Sequence, residues 1–158
     1  MKRVFGIAAM SLLSAFYLEA AELNLEASTG AGSARGQLQV RLAAATEIAT
    51  GLQFDLEYDA SRFEIEVLPG PSAELAEKII RTATPQTNRM RVLVFGMNQT
   101  VITNGVVAVI RATAINADDA RAKSPVRIVS MAATDRAGHP VEIGTRDSSV
   151  PTKPDATK

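Results

Sequence analysis

The side chains able to transfer protons or attack a substrate are few in this sequence. His139 is the only histidine, and Asp135 lies four residues before it, in the segment DRAGHP. A serine hydrolase needs a histidine that is held by a carboxylate and faces an activated serine, and no Gly-x-Ser-x-Gly motif is present. Because both residues fall in a turn containing Gly and Pro, the sequence favours a water-exposed turn histidine over a catalytic base.

Closely spaced carboxylates offer a second possible chemistry. Asp55 and Glu57, and likewise Glu64 and Glu66, are separated by one residue. Carboxylate pairs carry out glycoside hydrolysis in many enzymes. This spacing on a strand places both members on the same outward face, where acidic residues typically keep a protein soluble. We therefore predict no catalytic residues and no enzyme activity.

Metal-ligating residues are equally sparse. One histidine and no cysteine argue against zinc. Asp118 and Asp119 could supply two oxygen ligands to calcium, but no EF-hand loop motif surrounds them, and we interpret the pair as solvated. No metal site and no cofactor is predicted. The tripeptide Asn98-Gln99-Thr100 matches the N-glycosylation acceptor pattern and mainly indicates a loop.

The start of the chain resembles a secretory signal peptide. Lys2 and Arg3 precede an apolar run over residues 4–18, which is short for a membrane span, and cleavage is predicted after Ala20. An uncleaved membrane anchor or a buried helix is the alternative. We expect export to the periplasm or the extracellular space, with no membrane association once residues 1–20 are removed.

Composition restricts the possible partners of the remaining chain. The sequence has 158 residues, enough for one domain, and its 17 basic residues balance its 17 acidic ones. The basic residues are scattered, so nothing predicts a nucleic-acid partner. The absence of cysteine excludes disulfide bonds.

The clearest structural signal is a pair of amphipathic strands over residues 51–67. Leu52, Phe54, Leu56 and Tyr58 share one parity, whereas Gln53, Asp55 and Glu57 share the other. Side chains alternate between the two faces of a strand, so this pattern predicts one dry face and one acidic, water-facing face. Phe63, Ile65 and Val67 repeat the pattern after a turn.

The inward parity also bears on carbohydrate binding. Phe54, Tyr58 and Phe63 are assigned to the core, and the chain has no tryptophan. Flat glycan recognition commonly uses exposed aromatic faces. An aromatic platform for sugars is therefore not predicted, although binding through polar loops stays open.

Further strand patterns continue along the chain, at residues 22–27, 37–45, 89–95, 106–115, 125–133 and 141–143. Residues 72–78 favour one or two helical turns after the Pro69-Gly70-Pro71 break, and residues 146–158 lose the apolar pattern and are predicted to be a flexible tail. Eight or nine short strands with one helical turn predict an all-β sandwich for residues 21–145.

Several segments resemble cohesin domains. GLQFDLEYDASRFEI, residues 51–65, is similar to the cohesin strand pair GFQFDLxYDPxxLEI, with Ala60 in place of the usual proline. Further similar segments follow in the same order: RVLVFGMN, NGVVAVIRA, SPVRI and DRAGHPV. The resemblance spans residues 22–143 and is loose at 75–87.

The resemblance implies a jelly-roll β-sandwich of about nine strands, related to cellulose-type carbohydrate-binding modules. Cohesins bind dockerin modules and thereby assemble extracellular enzymes, which implies a dockerin-type partner and a link to polysaccharide degradation. The contact residues implied here are Gln53, Asp55, Glu57, Met97 and Asn98. One domain without an anchor signal is consistent either with a free-standing adaptor or with a cohesin-like fold reused for another role. Carbohydrate binding and a structural role in a surface or secretion assembly, through strand edges, are the alternatives.

Overall fold

The computed structural model describes residues 21–27, 35–44, 48–116 and 126–144. The predicted signal peptide, the predicted tail and the Asp118-Asp119 pair lie outside the described residues. Within the described residues, no helix is long and apolar enough to cross a membrane.

Two five-stranded sheets pack face to face. The first has the strand order β10-β1-β2-β7-β4 and the second the order β5-β6-β3-β8-β9. All strand pairs are antiparallel except β1 with β10, which is parallel. The elements are β1 Ala21–Ala27, β2 Arg35–Ala43, β3 Gly51–Tyr58, β4 Phe63–Pro69, α1 Pro71–Leu75, β5 Ile79–Gln86, β6 Arg89–Phe95, β7 Gly105–Ala114, β8 Val126–Thr134, β9 Pro140–Val141 and β10 Ile143–Gly144.

The all-β sandwich predicted from the sequence is confirmed, with three local differences. The predicted helical turn is the five-residue helix α1. The predicted return strand at 141–143 is two short strands, β9 and β10, in different sheets. Strand β5, at the edge of the second sheet, was not predicted, because most of its side chains are exposed and show no alternation.

The core lies between the sheets and contains the side chains predicted to face inward. Phe54 and Leu56 are fully buried and Leu52 nearly so, Phe63 is buried, and Tyr58 is half-buried against the core. The opposing sheet contributes Leu23, Val40, Val107 and Ile110. Burial of large side chains, each contributing about 1.5–3 kcal/mol, fixes which face of each strand points to solvent.

One end of the sandwich is closed by helix α1, which packs against β7. The backbone approaches closely there: a Cβ added to Gly70 would lie 2.4 Å from the carbonyl oxygen of Val106. Gly105 has a φ of 137°, and a Cβ on it would lie 2.5 Å from Ser72 Oγ. Glycine is required at both positions, because a side chain at either one would separate α1 from β7.

Candidate interaction surface

The side of the second sheet that points away from the core carries the predicted contact row on β3. We call this side the outer face. Strand register arranges its side chains in rows across β5, β6, β3 and β8. The rows are Gln86, Arg89, Glu57 and Arg127; Ala83, Arg91, Asp55 and Ser130; and Arg81, Leu93, Gln53 and Ala132. Ile79 and Phe95 pair at the far end of the same face.

Asp55 lies on the outer face as predicted, but it is not in water. Its side chain is only 2% exposed, because Arg91 on the neighbouring strand lies across it. Arg91 donates from Nε to Oδ1 at 2.8 Å and from Nη2 to Oδ2 at 3.0 Å. The hydrogen bonds from Arg91 hold the pKa of Asp55 below its usual range. The prediction of a water-facing acidic row is therefore wrong at Asp55.

Glu57 and Gln53 remain accessible on either side of Asp55, as half-buried side chains. Arg127 donates from Nε to Glu57 Oε1 at 3.1 Å, and Arg89 Nη2 lies 4.0 Å from Glu57 Oε2. Glu57 therefore sits between two arginines and does not present free negative charge. Arginine side chains, none of which is among the predicted contact residues, give this part of the face its charge.

Asn98 is engaged within the molecule. Its Oδ1 accepts a hydrogen bond from Lys78 Nζ at 2.6 Å, and its Nδ2 donates to the carbonyl of Ala76 at 3.1 Å. Lys78 is buried, which lowers the pKa of its ammonium group, and it also donates to the Asn98 carbonyl at 3.1 Å. Since Nδ2 is the atom that an N-glycan would occupy, the structure gives it a different role. Whether Asn98 contacts a partner stays a prediction.

Large apolar side chains are exposed at the opposite end of the face from Glu57. Met97 is fully exposed, and Ile79 and Phe95 are each more than two-fifths exposed. Leu93, the next outward residue of β6, is half-buried beside them. Met97 is among the predicted contact residues, whereas Ile79 and Phe95 are not. Because side chains alternate along a strand and Val92 and Val94 are buried, Phe95 is expected on the outer face.

The other polar groups considered for chemistry belong to turns and to the opposite sheet. Asp135 Oδ1 accepts the backbone N–H groups of Ala137 and His139, both at 2.8 Å, and His139 is exposed, as the sequence predicted. Glu64 and Glu66 are exposed on the outward side of β4. Among the described residues, no group of three or more His, Cys, Asp or Glu could hold a metal ion.

Cohesin modules are among the solved structures that share this architecture. The sixth cohesin of scaffoldin B from Acetivibrio cellulolyticus, in complex with a Cel5 dockerin, matches with a TM-score of 0.63 at 16% identity, covering 80% of this chain and 94% of that chain. The OlpC cohesin from Clostridium thermocellum, also in a dockerin complex, gives 0.64 at 13% identity, covering 81% and 90%.

A non-cellulosomal cohesin from the archaeon Archaeoglobus fulgidus gives a TM-score of 0.59 at 14% identity, covering 80% of this chain and 86% of that chain. No protein-family model and no curated protein sequence matches the chain. At these identities the similarity is one of fold, which is the fold that the sequence motifs implied.

Proposed function

Because the chain has the cohesin-type β-sandwich fold, we propose that it is a non-catalytic binding module that takes a dockerin-type protein partner on the outer face. The observation that carries the proposal is the pair of exposed apolar side chains, Ile79 and Phe95, on the same sheet face as Gln53 and Glu57, with the fully exposed Met97 two residues after the end of β6. Two of the matched cohesins were solved in complex with dockerins.

The chemistry of the face suits a protein partner. Exposed apolar side chains grouped together and bordered by polar residues are typical of interaction sites, and aromatic, Met and Arg residues are enriched there. The outer face combines Phe95 and Met97 with four arginines, Arg81, Arg89, Arg91 and Arg127. Phe95 and Met97 are accordingly expected to contribute most to affinity.

The proposal includes export, directed by residues 1–20, and action in the periplasm or outside the cell. Its link to polysaccharide degradation rests on the scaffoldin origin of the matched cohesin from A. cellulolyticus. Carbohydrate binding gains little support, since Phe54 and Phe63 are buried, Tyr58 is half-buried, and Phe95 is the one exposed aromatic side chain among the described residues.

Binding to a panel of purified dockerin modules tests the proposal, with affinities measured by biolayer interferometry. The double variant Phe95→Ala/Met97→Ala should bind at least about tenfold more weakly, as expected for two central apolar contacts. Ile115→Ala is the matched control, because Ile115 is similarly exposed but follows β7 of the other sheet. Failure of every dockerin to bind, or equal losses in both variants, would refute the proposal.

A further inference from the structure

The outer face has two ends of different chemistry, and from this we infer the kind of partner it takes. We infer that the partner presents carboxylates to the arginine rows and a large apolar side chain to Ile79, Phe95 and Met97. This inference rests on the proposed function, because it concerns the same face. The inference adds the sign of the partner's charge and the position of the apolar side chain with which the partner contacts this face.

The ion pairs of the outer face leave an excess of positive charge. Four arginines and two carboxylates, Asp55 and Glu57, project from the strands onto the outer face, so two positive charges are left unmatched. Asp55 is already bonded through both oxygens to Arg91. Glu57 is shared between Arg89 and Arg127. Neither carboxylate is available for a basic residue of a partner.

Arg81 and Arg127 are the arginines most available to a partner. Arg127 has a side chain that is 71% exposed even with its bond to Glu57. Arg81 is exposed and makes no ion pair with any carboxylate in the part of the chain that the structure describes. Arginine binds carboxylates in a planar, two-bond geometry that lysine does not reproduce, so acidic side chains suit these positions.

The apolar end fixes the spacing that the partner must match. Phe95 and Arg89 are the two ends of strand β6, six residues apart, which corresponds to about 20 Å. A helix of about 13 residues spans that distance. Carboxylates near one end of such a helix and a large apolar side chain near the other would meet complementary groups along the whole face. A basic partner would bring its charges against unmatched arginines, which costs affinity.

Selection from two display libraries tests the inference. One library randomises the exposed helix positions of a dockerin module, and the other randomises the same number of positions on an unrelated three-helix scaffold. The full chain is the target at low ionic strength. Clones retained by wild type are sequenced, and their affinities are measured for Arg81→Gln/Arg127→Gln, for Phe95→Ala/Met97→Ala, and for Arg111→Gln as the matched arginine on the opposite sheet.

We expect retained clones to be acidic with a large apolar residue. Arg81→Gln/Arg127→Gln should weaken their binding about three- to tenfold, the effect of removing two exposed charge contacts, and Arg111→Gln less than twofold. Both arginine variants leave only exposed or half-exposed carboxylates behind, and thermal melting checks that they fold. The Phe95→Ala/Met97→Ala variant should lose binding to the same clones.

The outcomes separate the two proposals. Dockerin clones that bind through this face but are neutral or basic would overturn the inference and leave the proposed function standing. Acidic clones from the unrelated scaffold alone, with no dockerin retained, would overturn the proposed function and support the inference. Sedimentation showing a wild-type dimer that Phe95→Ala abolishes would assign the face to a second copy of this chain and overturn both.

Discussion

Replacing Arg91 with methionine should destabilise the fold far more than the same replacement at Arg111. Both arginines project from the outward side of a strand with partners on both sides, β6 and β7, and both bind a carboxylate. The difference lies in that carboxylate. Glu66, bonded to Arg111, has a side chain 60% exposed, whereas Asp55, bonded to Arg91, has one only 2% exposed.

The size of the effect follows from what each variant leaves behind. Without Arg111, Glu66 is solvated by water, and exposed pairs of this kind contribute little to stability. In Arg91→Met, the Asp55 carboxylate loses two charge-assisted hydrogen bonds and is left beneath the apolar methionine side chain that replaces Arg91. Breaking a buried pair typically costs about 3–5 kcal/mol. Because Arg91 itself is 40% exposed, water can enter the vacated space, so we expect the unpaired Asp55 to cost about 2–3 kcal/mol.

The pH dependence gives a second, independent signature. In the wild type the pKa of Asp55 is lowered, so its pairing stabilises the fold above the unfolded-state pKa, about 3.8, and this contribution is lost as the pH falls through the folded-state pKa. In Arg91→Met, burial instead raises the pKa of Asp55, so protonation stabilises the folded state as the pH falls. The stability difference between wild type and variant should therefore shrink towards pH 4 and below.

Urea unfolding followed by far-ultraviolet circular dichroism measures these free energies, from neutral pH down to the acid limit of folding. Wild type, Arg91→Met and Arg111→Met are compared at each pH. Equal costs for the two substitutions would refute the argument from burial. A cost for Arg91→Met that stays constant at acid pH would show that the lost packing of the arginine stem, rather than the stranded carboxylate, causes the effect.

Two further predictions concern the loop after β6 and the approach of the chain before α1 to β7. Asn98→Ala should lower the free energy of unfolding by about 1–3 kcal/mol, because the buried Lys78 ammonium loses its 2.6 Å acceptor. Gln99→Ala, which removes an exposed amide from the neighbouring position, is the control. An unchanged urea midpoint for Asn98→Ala would contradict the structural role of Asn98. Gly70→Ala should lower the free energy of unfolding by about 2 kcal/mol, since the new Cβ would lie 2.4 Å from the Val106 carbonyl oxygen. Gly36→Ala is the control, because its new Cβ meets nothing within 4 Å and the substitution should be close to neutral. Equal melting temperatures for the two variants would argue against the close approach at Gly70.

The sequence was sufficient to predict a strand and its buried face where burial follows a strict alternation. Strand β3 is central in its sheet, so its inward side chains are all apolar and its pattern is unambiguous. Strand β5 is an edge strand whose one partner is β6, and only Ile80 among its residues is even half-buried. Without a buried side there is no periodic signal, and Pro85 further obscures the strand.

The site was harder to predict than the fold, for a related reason. Alternation within β3 tells which face Asp55 lies on, but its burial depends on Arg91, which is 36 residues away in the chain. Only the register of β3 with β6 brings them together. The same holds for Asn98, whose bonds to Lys78 and Ala76 join two loops. Pairings between distant segments are not encoded in any local pattern.

The parallel pairing of β1 with β10 has a mechanical consequence. Ala21 lies opposite Ile143, and Glu22 opposite Gly144, with both strands running in the same direction. A tension that pulls residue 21 and residue 144 apart therefore slides the two strands past each other. We expect Gly144→Pro, which removes a backbone donor from β10 alone, to lower the unfolding force in single-molecule pulling between these residues. An unchanged force would mean that the load is borne elsewhere. Under this shear load, the backbone hydrogen bonds between β1 and β10 must break together and not one after another. The sandwich can therefore carry tension applied between its two ends.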